Sequence, residues 1–241
     1  WTIVPECIEL DTEILHQFHD RSKMMMGILP TGTVPHEPKQ RLSSIFWSLP
    51  SHQLNNFLHN SQAHSDWLNQ VSKRWKPAAD WLEQVIAQPE QKSQWLTANY
   101  RDVVLSKFGE GRIGVMGDAA HAMSPQLGQG ANMALLDAWA LGQAVQSARK
   151  NEALDYVQLW QTYHQHRQSS TAFYQFLSRL LTPLYQSDLW WAGGLRDLSF
   201  AWMYRIPYFR KEMAVTISGL KLGMFSQMNY RDIAKQNNHS V

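Results

Sequence analysis

The stretch GVMGDAAHAMSPQLGQGANMALLDA, Gly114 to Ala138, carries the residues whose types and spacing are least like ordinary core or surface. An apolar run ends in Gly117-Asp118, a loop of small residues follows with Gly128 and Gly130, and a helix-like pattern begins at Asn132. A carboxylate at that place can accept hydrogen bonds from the hydroxyls of a sugar or polyol chain. Gly128 and Gly130 remove side chains where a flat ring would lie against the backbone. A helix starting near Asn132 aims unpaired N–H groups and the positive end of its dipole at that ring. Such an arrangement favours a ligand that gains negative charge.

These residues need a strand before them and a helix after them. Arg112 to Met116 reads as the strand, which places Gly117-Asp118 at its C-terminal edge, where ligands bind open α/β sheets. Asn132 to Ala148 reads as the helix, with Leu135, Leu136, Trp139 and Val145 expected to face inward. Just upstream, GEGRIG (Gly109 to Gly114) matches the G-x-G-x-x-G spacing of a dinucleotide fingerprint. A fingerprint needs its glycines after a strand and at the mouth of a helix; here they precede a strand. The segment is therefore read as a tight turn, Phe108 to Gly111, between a strand reaching Lys107 and the strand from Arg112.

Upstream, KMMMGIL (Lys23 to Leu29) and RLSSIFWSL (Arg41 to Leu49) read as antiparallel strands. The first is expected to end at the turn Pro30-Thr31-Gly32, and a long loop with Pro35 and Pro38 to join the two. Ser51 is expected to cap the following helix. Trp67, Val71 and Trp75 recur every four residues on one helix face, and a second helix after Pro77 presents Trp81, Leu82, Val85 and Ile86 before Pro89. These tryptophans share the apolar stripe, so they are read as core anchors and not as a stacking platform. Met24, Met25 and Met26 read first as strand core and second as the lining of a substrate cavity. A long helix from about Ala153 to Leu181 is expected to stop before Pro183, with two or three amphipathic helices after it.

The totals narrow the class. A chain of 241 residues suffices for one large domain or two small ones. Lys and Arg number 22 against 20 Asp and Glu, a net charge of +2 that gives no footprint for nucleic acid. Cys7 is the single cysteine, which rules out an internal disulfide and suits a reduced, cytoplasmic protein. His164 and His166 lie two apart on a helix and face different directions, so no metal site is expected. Between Leu180 and Phe225 the charges Asp188, Arg196, Asp197, Arg205, Arg210 and Lys211 break any run long enough to span a bilayer. The aromatic, basic stretch LWWAGGLRDLSFAWMYRIPYFRKEM offers a peripheral membrane contact; a face packed on another domain or a dimer interface explains it equally well. The chain opens on Trp1 and not on Met, so a piece of a longer protein is expected.

Gly117-Asp118-Ala119-Ala120-His121, Pro125, Gly128-Gln129-Gly130-Ala131-Asn132 and Asp137 together resemble the second flavin-binding motif of FAD-dependent aromatic hydroxylases. These are the single-component flavoprotein monooxygenases of the p-hydroxybenzoate hydroxylase and ubiquinone-biosynthesis hydroxylase type. A reduced flavin is a ring of the kind the helix start favours. The resemblance implies that Asp118 binds the ribityl chain and that Pro125 sits beside the isoalloxazine, where flavin meets substrate. It also implies that the backbone N–H groups of Ala131 and Asn132 contact the flavin's pyrimidine carbonyl, with Gly117, Ala119, Gly128 and Gly130 completing the cofactor-binding set. His121 belongs to the motif as structure, and no residue is assigned as a catalytic acid or base.

GILPTG and SSIFWSLP are similar to strands of the family's substrate domain, whose sheet covers the flavin, and YHQHRQSSTAFYQFLSRLLTPLYQSD resembles the C-terminal part of the ubiquinone-type hydroxylases. The implied fold is α+β, part of an α/β FAD-binding fold. Residues 1–98 would be part of the substrate-binding domain, with an antiparallel sheet and helices. Residues 99–150 would be the C-terminal part of the FAD-binding domain with the Gly-Asp motif, and residues 151–241 a C-terminal helical region. The implied activity is hydroxylation of an aromatic or other electron-rich small molecule with FAD, NAD(P)H and dioxygen. A flavin-dependent reductase or halogenase of the same fold, or a non-catalytic binding or assembly module, is the alternative. The family's glycine fingerprint for the ADP half of FAD is not found here, nor its Asp-Gly motif. A missing N-terminal FAD domain is therefore the expected partner, and these residues alone are expected to bind FAD weakly or not at all.

Overall fold

A computed structural model describes residues 1–6, 13–20, 22, 24–86, 95–150 and 153–228. Cys7, Lys23 and Pro89 lie outside them, as do the side chains of Val85 and Ile86. The fold is α+β, as expected, and it divides into two compact units.

The first unit runs from Trp1 to Ala98 and includes Tyr185–Trp190. Its sheet holds β1 (Thr2–Pro5), β2 (His16–Asp20), β3 (Met24–Val34) and β4 (Glu37–Trp47) in the order β1-β4-β3-β2, every pair antiparallel. Side chains alternate across a strand, so Val4, Met26, Ile28 and Ile45 share one buried face. After α1 (Leu54–His59), the helices α2 (Ser61–Arg74) and α3 (Lys76–Ile86) supply Trp67, Val71, Ala78, Trp81 and Leu82 to that core. Trp47 stacks on Trp67 with ring centroids 4.5 Å apart, which makes the tryptophans core anchors.

Three local expectations are corrected here. Pro30-Thr31-Gly32 does not end β3: the strand continues to Val34 through a register shift, with Gly32 at φ 79° absorbing the extra residue. The connection to β4 is consequently a tight turn at Pro35-His36 instead of a long loop. Ser51 caps nothing; it begins a 3-10 turn, and Asn60 is the capping residue, its side chain accepting from Gln62 N–H at 2.9 Å.

The second unit comprises Asn99–Leu184 and the described residues from Trp191 onward. Tyr100 to Lys107 forms no strand. Strands exist by pairing, and this segment is held by single bonds, Val103 N–H to Ala122 O (3.0 Å) and Gln175 Nε2 to Val103 O (2.5 Å). The strand expected from Arg112 to Met116 shrinks to β6 (Ile113–Gly114), paired with β5 (Gly109–Glu110) in the expected hairpin. Trp160 explains the hairpin's glycines: its indole lies across Gly109 and Gly114, where a Cβ would come within 2.3 and 2.2 Å of ring carbons. The same indole donates Nε1–H to Gly111 O at 2.8 Å. GEGRIG is a floor for a tryptophan.

Next come α4 (Asp118–His121), α5 (Gly130–Ala148), a hairpin of β7 (Arg149–Lys150) and β8 (Ala153–Leu154), and then α6 (Tyr156–Tyr185), α7 (Ala192–Arg205) and α8 (Pro207–Ile217). The buried face of α5 is Met133, Asp137, Ala140, Ala144 and Ala148. Of the residues expected inward, Trp139 and Val145 pack partly buried against the core and Leu136 is half-buried, while Leu135 is 70% exposed, against the expectation. A run of alanines lets a neighbouring helix approach closely, and Asp137 goes inward because its partners wait there. Pro183 lies inside α6; so near the end of the helix it forfeits a single bond and does not stop the chain.

Candidate functional site

The site is built around a buried carboxylate. Asp137, completely buried on α5, accepts three hydrogen bonds. Oδ2 takes the Gly117 backbone N–H at 2.7 Å and His121 Nε2 at 2.6 Å, and Oδ1 takes Arg167 Nε at 2.6 Å. Arg167, on α6 and 2% exposed, also reaches Met133 O at 3.4 Å. Burial alone pushes the Asp137 carboxyl up; the bonds from His121, Arg167 and Gly117 outweigh it and hold the group below its ordinary range. Tyr163 packs nearby, and burial, reinforced by the Asp137 charge, pushes its hydroxyl well up.

This anchor decides where Asp118 points. Gly117 and His121 bracket the single turn of α4, and both are fastened to one oxygen of Asp137. Ala120 is buried between them, so Asp118 and Ala119 are turned outward and exposed. Gly117 has φ 60° and ψ −142°, a conformation that side chains resist. The Asp118 carboxylate has no ion pair among the described residues and stands 3.9 Å from where a Cβ on Gly130 would be.

The loop from Ser124 to Gln129 then lays bare the start of α5. Ser178 on α6 donates Oγ–H to Ser124 O at 2.9 Å, a 3-10 turn follows from Pro125 to Leu127, and Gly128 adopts the left-handed conformation at φ 61°. No atom lies within 4 Å of where a Gly128 Cβ would sit. The first bond of the α5 ladder is Met133 N–H to Gln129 O at 2.9 Å, which leaves the N–H groups of Gly130, Ala131 and Asn132 ahead of it. Gln129 provides no cap for them. Its buried side chain instead donates to Ile217 O at 2.7 Å and Leu127 O at 3.1 Å and accepts from Asn132 Nδ2 at 3.1 Å.

Gly117, Asp118, Ala119, Pro125, Gly128, Gly130, Ala131 and Asn132 thus lie along one continuous run of α4, loop and α5 start. Except for Gly117, whose backbone is buried, and the half-buried Asn132, they are exposed. An open glycine cradle, uncapped helix N–H groups and a free carboxylate beside them fit the ring and polyol end of a flavin. Sequence reasoning placed Asp137 and Gln129 in the motif without a role and missed Arg167. Arg167 occupies an inward position of α6 in line with Leu159, Tyr163, Ser170 and Tyr174, so an arginine on an otherwise buried stripe was the available signal. His164 is half-buried against Phe108, with ring centroids 5.0 Å apart. Among the described residues no group of three or more His, Cys, Asp or Glu is placed to hold a metal ion.

A family model described as "FAD binding domain" matches residues 52–173, just over half of the chain, and the chain belongs to that family. Among curated relatives, the chloroplastic zeaxanthin epoxidase of an Oncidium hybrid cultivar is 30% identical over 115 residues, 45% of this chain and 17% of its own length. The match thus spans about a sixth of that relative. Among solved structures, PqsL of Pseudomonas aeruginosa, described as "a probable FAD-dependent monooxygenase", aligns with a TM-score of 0.58 at 16% identity over 85% of this chain and 50% of that one. HpxO of Klebsiella pneumoniae, complexed with FAD and uric acid, aligns with a TM-score of 0.56 at 17% identity over 92% of this chain and 52% of that one. At such identities the two structures speak for the fold.

Proposed function

We propose that the protein is an FAD-dependent monooxygenase that hydroxylates an aromatic or other electron-rich small molecule at the expense of NAD(P)H and dioxygen. The observation that carries this reading is the uncapped start of α5 facing the open glycine cradle, with Asp118 beside Gly130. In this reading Asp118 accepts hydrogen bonds from the ribityl hydroxyls, with Gly117 and Ala119 shaping the turn that presents it. Gly128 and Gly130 let the ring approach the backbone, Pro125 packs beside it, and the N–H groups of Ala131 and Asn132 donate to the pyrimidine carbonyl. The bound flavin supplies hydride acceptance and oxygen activation. The chain's own residues bind and orient the ring, and the positive end of α5 favours negative charge gathering there.

Residues 1–98 belong, in the same proposal, to the substrate-binding part, residues 99–150 to the FAD-binding part and residues 151–241 to a helical region. Family membership and a fold shared with PqsL and HpxO support the reading. The test is simultaneous recording of NAD(P)H oxidation and oxygen uptake by the full-length, FAD-loaded protein with candidate aromatic substrates. Matched consumption with one oxygen atom in the product supports it. Nicotinamide consumption into a reduced product without oxygen uptake overturns it in favour of a reductase.

A further inference from the structure

The helix α7 is built inside out. Its buried positions are Ala192, Gly193 and Arg196. Trp191, just ahead of it, and Leu195, Leu198 and Trp202 are 44, 49, 71 and 58% exposed. Their spacing of i, i+4, i+7 and i+11 sets the four on one stripe, and Arg205 follows on the same line. An apolar stripe of this size ordinarily marks a surface with a partner.

Charge says which partner. The acids of α7 and α8 are Asp197 and Glu212, and both are engaged, with Arg196 and Lys221 respectively. Arg205, Arg210 and Lys211 are exposed and have no carboxylate partner among the described residues; Arg210 lies over the Tyr204 ring, 5.9 Å from its centroid. A second copy docking on the stripe would cover the apolar residues but offers no carboxylate for these cations, since the acids of α7 and α8 are already engaged. A bilayer surface with anionic head groups answers both features, because tryptophans settle at the water–lipid boundary and cations are drawn to the head groups. No helix among the described residues is long and apolar enough to cross a membrane, so the contact lies on the surface.

We propose that α7 lays the stripe Trp191–Leu195–Leu198–Trp202 on an anionic lipid surface, with Arg205 and the cations of α8 facing the head groups. This does not depend on the reaction the protein catalyses. The test is co-sedimentation of the full-length protein with vesicles of phosphatidylcholine, with and without phosphatidylglycerol, alongside light scattering. The expected result is binding that needs the anionic lipid and weakens with salt. The double variant Leu198→Gln/Trp202→Gln should partition about tenfold less or worse, and Arg205→Gln should lower binding several-fold. Val157→Gln, at a residue 68% exposed on α6, should bind as the unmodified protein does. Absence of vesicle binding, equal binding by the double variant, or a dimer that the double variant dissolves would each overturn the proposal.

Discussion

His121 Nε2 and Asp137 Oδ2 stand 2.6 Å apart, and neither residue is more than 3% exposed. A buried histidine–carboxylate pair invites a catalytic reading, but the same Asp137 oxygen also holds the Gly117 N–H, and its partner oxygen holds Arg167. The pair is a clasp that fixes both ends of α4, and through them the direction of Asp118.

Replacing Asp137 therefore tests position and stability together. Asp137→Asn leaves Arg167 buried without its counter-charge, and breaking such a pair costs about 3–5 kcal/mol. Urea unfolding should show that loss, and FAD affinity should fall with it. Leu82→Ala, a comparably disruptive change in the core of the first unit, should leave FAD affinity unchanged.

The clasp also sets an acid limit. Asp137 is held below the ordinary carboxylate range in the folded state, so its contribution is complete above the unfolded value of about 4. It is lost as the pH falls through the lower folded value. Stability measured against pH should decline over that interval, and Asp137→Asn should remove this part of the slope while leaving the protein weaker at neutral pH.

The hairpin glycines give a third test. Gly109→Ala would drive a Cβ to within 2.3 Å of the Trp160 ring, and overpacking of this kind costs about 1–3 kcal/mol. Removing the indole as well, in Gly109→Ala/Trp160→Ala, should make the glycine change nearly neutral relative to Trp160→Ala alone. Affinity for nicotinamide and flavin nucleotides should not change in Gly109→Ala, since the segment cradles no phosphate.

The periodic tryptophans, the strand pair and the Gly-Asp stretch were legible because each is a local pattern with one physical solution. What failed was decided by distant partners. Leu135 is the more hydrophobic candidate for the inner face of α5, yet Asp137 goes inward because Arg167, thirty positions along, meets it there. Tyr100 to Lys107 has strand composition but no strand to pair with among the described residues. Pro30 and Pro183 stand inside elements they were expected to end, one beside a bulge and the other near a helix terminus, where a missing N–H costs little. The Gln129 side chain turns to Ile217 O, a contact across 88 positions that no local pattern encodes.

The most direct measurement is FAD affinity of the full-length protein with Asp118→Ala. Asp118 is exposed and without an ion pair among the described residues, so the fold should keep its stability. Loss of a charged hydrogen-bond acceptor for the ribityl chain should weaken FAD binding by about ten- to a hundredfold. Unchanged FAD affinity in this variant would contradict the placement of the flavin at Asp118 and the start of α5.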